Sequence, residues 1–260
     1  MRRFAQYCWQ TFRESDLILL LLCICASAFG VLVIASATGY TGNPRYVPTQ
    51  TSAILIGIVA YVITSNVDVN FLSEHRRFFF GANLFFLLLL IPFGTDNGTG
   101  NKSWLDIPGV PVDIQPAEVC KVLYILVTAS VMASHQSKPS SPKSVLHSFF
   151  HLAILAGLNM FLSGDLGVTM IFVATFLCMA ITAGINWLWF IAGGGLCVAA
   201  FPVLWSFLSQ YQKNRILILF DPSIDPNGIN ERYHTVQSIR TLTGGGMTGQ
   251  GLFQGIRTRS

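Results

Sequence analysis

Seven stretches of this sequence are apolar and almost free of charge: Leu17–Ala37, Thr51–Asn66, Phe78–Phe93, Pro116–Ala133, Val145–Leu162, Leu166–Ala183 and Trp187–Leu208. A helix needs about 20 apolar residues to cross the hydrocarbon core of a bilayer. No water is available there, so the backbone of each run must satisfy its own hydrogen bonds. Strands of a membrane barrel would alternate apolar and polar residues, and these runs do not. The expected fold is therefore all-α, a polytopic membrane helix bundle of about seven transmembrane helices spanning residues 1–208. Composition leads to the same place. Of 260 residues, 52% are hydrophobic and 11% charged, against about 25% charged in a typical soluble domain. Too few charges remain to cover a water-facing surface.

The short loops orient the bundle. Lys and Arg concentrate on the cytoplasmic side of membrane proteins. With the N-terminus inside, cytoplasmic segments hold Arg2, Arg3, Arg13, Arg76, Arg77, Lys138 and Lys143, and the short outer loops hold only Arg45 and Lys102. The stretch Lys138–Lys143 reads as a cytoplasmic turn. Arg2, Arg3 and the sequence Ala35-Ser36-Ala37 imitate a secretory signal. A signal h-region spans only about 7–15 residues, and the first run is longer, so it reads as an uncleaved helix.

Residues 209–260 differ from the rest. They are polar, glycine-rich and basic, with Lys213, Arg215, Arg232, Arg240, Arg257 and Arg259. After seven crossings they form an extracytoplasmic loop segment. Two readings stay open: a solvated tail, or a site for an anionic headgroup. The six cysteines, Cys8, Cys23, Cys25, Cys120, Cys178 and Cys197, show no Cys-x-x-Cys or zinc spacing. They read as small apolar packing residues. Nothing indicates a soluble domain, a repeat or a coiled coil, and no nucleic-acid partner is expected.

Three constellations could carry chemistry. The outer loop before the fourth helix contains Lys102 and Trp104, then Gln115-Pro116-Ala117-Glu118, with Lys121 three residues on. Pro116 suits the first turn of a helix. Glu118 and Lys121 then share a face and can pair. Such a pair near a helix start serves structure, since Glu favours the dipole there. Equally, ionisable groups at membrane depth face a cavity or a partner. Trp104 also suits an interfacial anchor. The second constellation is Ser163-Gly164-Asp165-Leu166-Gly167, a tight outer turn in which Asp165 either caps the sixth helix or lines a cavity. The third follows the seventh helix. It comprises Arg215, Asp221-Pro222, Asp225-Pro226, Gly228, Tyr233, Gln237, Ser238 and the glycines from Gly244 to Gly255. Asp-Pro pairs mark turns, and glycine lets backbone amides approach a phosphate. No Gly-Lys-Ser/Thr ending makes this a nucleotide loop. His147 and His151 are four apart, but nearby sequence offers no further metal ligand. Polar contacts near the cytoplasmic end of the fifth helix are expected of them.

In this order and spacing the residues resemble the SEDS family (shape, elongation, division and sporulation proteins), whose members include FtsW, RodA and SpoVE. Gly100 to Trp104 is similar to the family's Gly-x-x-Arg-Trp. Gln115 to Lys121 is similar to its Gln-Pro-Ser/Ala-Glu-x-x-Lys, and Asp165-Leu166-Gly167 with Thr169 to its Asp-Leu-Gly-Thr. The third constellation is similar to its long signature after the seventh helix. The resemblance implies a peptidoglycan glycosyltransferase that polymerises lipid II on the outer face of the cytoplasmic membrane, in division, elongation or sporulation. It implies a class B penicillin-binding protein as partner. It assigns substrate binding to Lys102, Trp104, Glu118, Lys121, Asp165, Arg215, Tyr233, Gln237 and Ser238. Outer cations would hold the pyrophosphate, and a groove between helices would hold the undecaprenyl tail. No cofactor is required, no metal ligand is assigned, and a divalent cation stays open.

The departures carry weight too. Ser103 stands where the family has Arg, with Lys102 one place earlier. Lys cannot supply the bidentate fork of Arg. Ser163-Gly164 replaces the family's Gln-Pro. The family continues beyond this point with a stretch like Leu-Pro-Glu-x-His-Thr-Asp-Phe and about three more helices. The Asp of that stretch is the proposed catalytic residue. On this reading the chain is truncated from a roughly ten-helix fold, holds no catalytic residue and is expected to be inactive alone. The alternatives are a lipid II flippase and a non-catalytic membrane partner protein.

Overall fold

The computed structural model describes residues 16–39, 45–65, 67–96, 101–106, 114–229 and 232–255. Cys8, Gly100, Asp113 and the basic residues Arg2, Arg3, Arg13, Arg257 and Arg259 lie outside the described residues. The chain divides into two compact units: residues 1–67 with 209–260, and residues 68–208.

The first unit holds α1 (Leu17–Thr38) and α2 (Tyr46–Ser65). Asp16 starts α1, its Oδ1 accepting from the amides of Ile18 and Leu19 at 3.1 and 3.0 Å. The Tyr61 hydroxyl of α2 donates to the Asp16 carbonyl at 2.9 Å. The α2 helix begins five residues before Thr51, where the apolar run was read to start. Apolarity alone discards Tyr46–Gln50. In the helix, the hydroxyls of Thr51 and Ser52 turn back to the carbonyls of Val47 and Pro48 at 2.8 Å, which satisfies polar groups locally.

The second unit begins with α3 (Val69–Glu74), α4 (Arg76–Leu88) and α5 (Leu90–Phe93). Leu89 keeps helical dihedrals (φ −60°, ψ −20°), so α4 and α5 form one near-continuous run. The ladder lapses because Pro92 has no N–H to return to Leu88. Two short strands follow, β1 (Gly94–Thr95) and β2 (Trp104–Leu105), paired antiparallel with Gly94 opposite Leu105. Then come α6 (Pro116–Ser134), α7 (Pro142–Ser163), α8 (Leu166–Thr182) and α9 (Trp187–Phe207).

Local signals set these ends. Pro116 and Pro142 sit in first turns, where the missing N–H costs nothing. Ser141 caps α7 by accepting from the Ser144 amide at 3.3 Å. Gly164 ends α7 in the left-handed region at φ +70°, which a side chain would strain.

The core of this unit lies among α4, α6, α7 and α8. Leu87, Cys120, Tyr124, Leu155 and Phe172 are fully buried in it. Tyr124 and Phe172 meet edge to face with ring centroids 5.4 Å apart, a geometry that adds to packing. The amide of buried Asn83 is oriented to donate to the Cys120 carbonyl at 3.1 Å and to accept from the Tyr124 amide at 3.3 Å.

Among the described residues six helical runs are long and apolar enough to cross a bilayer: Leu17–Thr38, Tyr46–Ser65, Arg76–Phe93, Pro116–Ser134, Pro142–Ser163 and Trp187–Phe207. The sixth expected helix, α8, is also apolar but 17 residues long, at the short end of the spanning range. The chain is thus an all-helical, multi-pass integral membrane protein. Cys23, Cys25, Cys120, Cys178 and Cys197 are free thiols.

Candidate functional site

The β1–β2 pair organises the loop that feeds α6. The Leu105 amide donates to the Ile114 carbonyl at 2.8 Å, and the Asp106 amide to the Phe93 carbonyl at 3.2 Å. Leu105 is buried and pins the loop to the helices. Trp104 is half-buried and Lys102 is exposed. Between them Ser103 is buried, and its hydroxyl has no hydrogen-bond partner. A serine therefore fits a pocket that would not accept a charged side chain without a partner. Among the described residues the cation of this loop is Lys102, one residue earlier.

The loop delivers the chain to Pro116 and the first turn of α6. There Lys121 Nζ lies 2.8 Å from Glu118 Oε2 and donates to Oε1 at 2.9 Å. The ion pair expected from the i, i+3 spacing is present. Glu118 is the more exposed partner, at 58% against 22% for Lys121. An incoming anion therefore has to compete for Lys121, while a hydroxyl can reach Glu118 directly.

Asp165 caps α8: its Oδ1 accepts from the Val168 amide at 3.1 Å. Its carbonyl receives the Thr169 hydroxyl at 2.8 Å and the Asn159 amide group at 3.3 Å. Asn159 also donates to Thr169 Oγ1 at 3.0 Å, and Ser163 donates to the Asn159 carbonyl at 2.7 Å. The capping reading accounts for one carboxylate oxygen and leaves the half-buried group beside the loop. A Cβ added to Gly164 would lie 3.6 Å from Asn101 Oδ1, so the loop residue next to Lys102 reaches the turn that carries Asp165. The sequence reading missed Asn159. Its signal is a lone amide in the apolar second half of α7, ten residues before Thr169.

Arg215, Tyr233, Gln237 and Ser238 belong to the other unit. Arg215 lies on α10 (Gln210–Leu217), which opens with a reciprocal Ser209–Gln212 capping box. Its guanidinium sits over the Tyr211 ring, 5.0 Å from the centroid. A 3-10 turn (Pro222–Ile224) and α11 (Tyr233–Gly245) follow. Tyr233 is exposed and packs against the His234 ring at 5.5 Å. Ser238 is exposed, its hydroxyl donating to the His234 carbonyl at 2.7 Å, and Gln237 is half-buried.

Both Asp-Pro pairs form turns, and the structure adds what their carboxylates do. Asp221 accepts from the amide and the hydroxyl of Ser223 at 2.9 and 2.6 Å, which holds its carboxyl below the usual range. Asp225 is buried, with Oδ1 accepting from the Ile229 amide at 3.2 Å and Oδ2 from the Arg232 amide at 3.1 Å. Arg232 returns Nη1 to the carbonyls of Pro222 and Asp225 at 3.1 and 3.3 Å. Gly228 adopts φ +60°, and an added Cβ would lie 2.7 Å from Val236 Cγ2. The glycine-rich stretch is not one phosphate loop. Gly244 and Gly245 finish α11, and the Gln250 side chain donates back to the Gly244 carbonyl at 2.9 Å.

Among the described residues no group of three or more His, Cys, Asp and Glu is placed to hold a metal ion. His147 and His151 do share a face, with ring centroids 5.2 Å apart, and His135 joins them at 5.3 Å from His147. The sequence reading did not bring His135 into that group, because only the α6–α7 turn folds it back.

The family of cell cycle proteins named for FtsW, RodA and SpoVE matches residues 16–259. A probable peptidoglycan glycosyltransferase FtsW of Trichlorobacter lovleyi is 28% identical over 250 residues, covering 93% of this chain and 64% of the relative. The peptidoglycan glycosyltransferase MrdB of Escherichia coli K12 is 26% identical over 248 residues, covering 94% and 64%. The chain therefore spans just under two thirds of the length of these relatives. A chain from a solved peptidoglycan synthase complex superimposes with a TM-score of 0.70 at 22% identity, covering 86% of this chain and 64% of that one. That likeness shows the fold. With the match extending across nearly the whole sequence, the chain belongs to the FtsW/RodA/SpoVE family of cell cycle proteins.

Proposed function

We propose that this chain holds lipid II at the outer face of the cytoplasmic membrane, as the substrate-binding part of a peptidoglycan glycosyltransferase that works with a class B penicillin-binding protein. The observation that carries the reading is the Glu118–Lys121 pair at the start of α6. It sits directly below a loop that presents exposed Lys102 and half-buried Trp104. Cations there suit a pyrophosphate. A carboxylate within reach of a sugar hydroxyl suits general-base chemistry or substrate orientation. Relatives carrying the name peptidoglycan glycosyltransferase support the reading.

The test is lipid II binding by the chain in nanodiscs, read with a fluorescent lipid II. Replacing Lys102 and Lys121 together by alanine should weaken binding by at least about tenfold, since hydrogen bonds to charged groups contribute about 1.5–3 kcal/mol each. Unchanged affinity would count against the site. A flippase instead requires transfer of labelled lipid II across the bilayer of proteoliposomes. The candidate residues of the second unit gather at the outer ends of α6–α8, so no transfer is expected.

A further inference from the structure

The ends of α4, α6 and α7 remote from the outer loop carry a second polar cluster, unrelated to the lipid II reading. Arg76 and Arg77 open α4, His135 follows the last residue of α6, and His147 and His151 lie on α7. A cavity of about 150 Å³ opens among Arg76, Arg77, Phe80, Val131, His147 and His151. The Phe80 ring meets the His151 ring edge to face at 4.7 Å. Every ionisable group in the lining is a base. Among the described residues the only ion pair in the protein is Glu118–Lys121, so no carboxylate neutralises this cluster. Of the nearest acids in sequence, Asp68 caps α3 through the Asn70 amide at 2.8 Å, and Glu74 is exposed and forms no ion pair among the described residues.

The hydrogen bonds inside the cluster do not use up its donors. His135 Nδ1 lies 2.9 Å from the Val131 carbonyl, and His151 Nδ1 lies 2.9 Å from the His147 carbonyl. A carbonyl only accepts, so the His151 contact calls for a proton on Nδ1, while His135 Nδ1 also lies 3.1 Å from the Ser134 hydroxyl, which can donate to it. His147 makes no ring-nitrogen hydrogen bond among the described residues, and the Arg76 guanidinium reaches the Ser130 carbonyl only at 3.5 Å. Arg76 and Arg77 thus line one cavity with His147 and His151, and among the described residues no carboxylate forms an ion pair with them. An unpaired like-charge cluster at a membrane boundary is costly, and an anion relieves it.

Two features choose the anion. Phe80 and Val131 give the cavity an apolar wall, which a free, hydrated phosphate gains nothing from and a phospholipid glycerol and acyl start does. By the distribution of Lys and Arg, this end lies on the cytoplasmic side, with Lys138 and Lys143 in the adjoining turn. Basic pockets between helices on that side suit acidic lipid headgroups. We propose that the Arg76–Arg77–His147–His151 cavity seats the phosphate of an acidic phospholipid of the inner leaflet, which acts as the counter-ion joining α4 to α7.

The experiment uses the whole chain in nanodiscs of phosphatidylcholine with and without photoreactive phosphatidylglycerol. Adducts on the unmodified protein are mapped by peptide sequencing. They should fall within Arg76–Phe80 and His147–His151, and adducts spread over other cytoplasmic turns would overturn the proposal. Binding of phosphatidylglycerol to the detergent-purified chain is then counted by native mass spectrometry. Arg76→Gln with Arg77→Gln should reduce retention about tenfold or more, each cation near a membrane surface being worth about 1 kcal/mol. Lys138→Gln with Lys143→Gln should change it less than threefold or so. Equal losses in the two pairs would mean general surface charge and sink the site. Inorganic phosphate should not displace the lipid, and displacement would mean a soluble phosphate site instead. His151→Gln, which keeps the fold of α7 testable by its melting, should lower retention without lowering the melting temperature in phosphatidylcholine.

Discussion

The α4, α6, α7 and α8 helices and the polar segment 209–255 are held together in opposite ways. In the helices, side chains meet side chains: Tyr124 against Phe172 and Asn159 against Thr169. In the segment, carboxylates clasp backbone: Asp221 holds Ser223, and Asp225 holds Ile229 and Arg232. Lipid offers no hydrophobic gain for joining helices, so packing and buried polar contacts decide which faces touch. Water competes for the exposed polar contacts of the segment, such as those of Asp221, so the turns rely on acceptors fixed close to the amides they serve. The α9 helix makes such contacts at its start, where Trp189 and Phe190 pack against the core and Trp189 Nε1 donates to the Ser140 carbonyl at 2.9 Å. It has Gly193, Gly194 and Gly195 with nothing within 4 Å of an added Cβ, and no residue of it is buried.

Three substitutions test that contrast, beginning with the largest effect and its control. Phe172→Ala removes a fully buried ring and should cost about 3 kcal/mol of stability. Val198→Ala on α9, where the side chain is 76% exposed, should stay within about 0.5 kcal/mol. Thermal melts of the two in the same nanodiscs decide it, and equal losses would erase the distinction between packed and outward-facing helices. Asp225→Asn keeps the shape but weakens two charge-assisted bonds. Hydrogen exchange at the Ile229 and Arg232 amides should rise about tenfold, and unchanged protection would deny the carboxylate its organising part.

The Glu118–Lys121 pair is partly exposed and contributes at most about 1 kcal/mol to stability, so its reversal is read in function. Glu118→Lys and Lys121→Glu alone should each impair lipid II binding, and the double reversal should recover part of it. Failure of the double to recover would mean that the two act separately. Ser223→Ala should shift only one titration. Ser223 bonds the charged form of Asp221, so the depressed pKa makes that turn's electrostatic support complete above the ordinary carboxylate range and lost as pH falls through the lowered value. Removing the hydroxyl should move the Asp221 pKa upward in a carbon-detected NMR titration. A downward move would contradict the geometry.

The helices were legible because a bilayer leaves so few alternatives. Pro116 marked the start of α6, whereas α7 begins three residues before Val145, where its apolar run was read to start, and α3 has no apolar run to announce it. The start of α2 was not legible, since Tyr46, Thr49 and Gln50 break the apolar pattern yet are helical. The Glu118–Lys121 contact followed from spacing alone. The clasp by Asp225 did not, because an Asp-Pro pair announces a turn without saying which amides the carboxylate will find seven residues later. Asn159 and His135 escaped for a related reason. Each becomes meaningful only when a turn folds one helix onto the next, and no local pattern encodes that meeting.

The close approach of Gly228 to Val236 reaches down to the codon. Apart from synonymous changes and stops, every single-base neighbour of a glycine codon specifies a residue with a Cβ. Here that atom would sit 2.7 Å from Val236 Cγ2, on a backbone at φ +60° that most side chains resist. Valine is stiff at χ1 and cannot swing aside cheaply. Position 228 is therefore a locked step in the mutational landscape. It opens only after position 236 has become smaller, and then most readily toward aspartate, which tolerates the left-handed region. Any lineage that has changed residue 228 should carry the earlier change at residue 236.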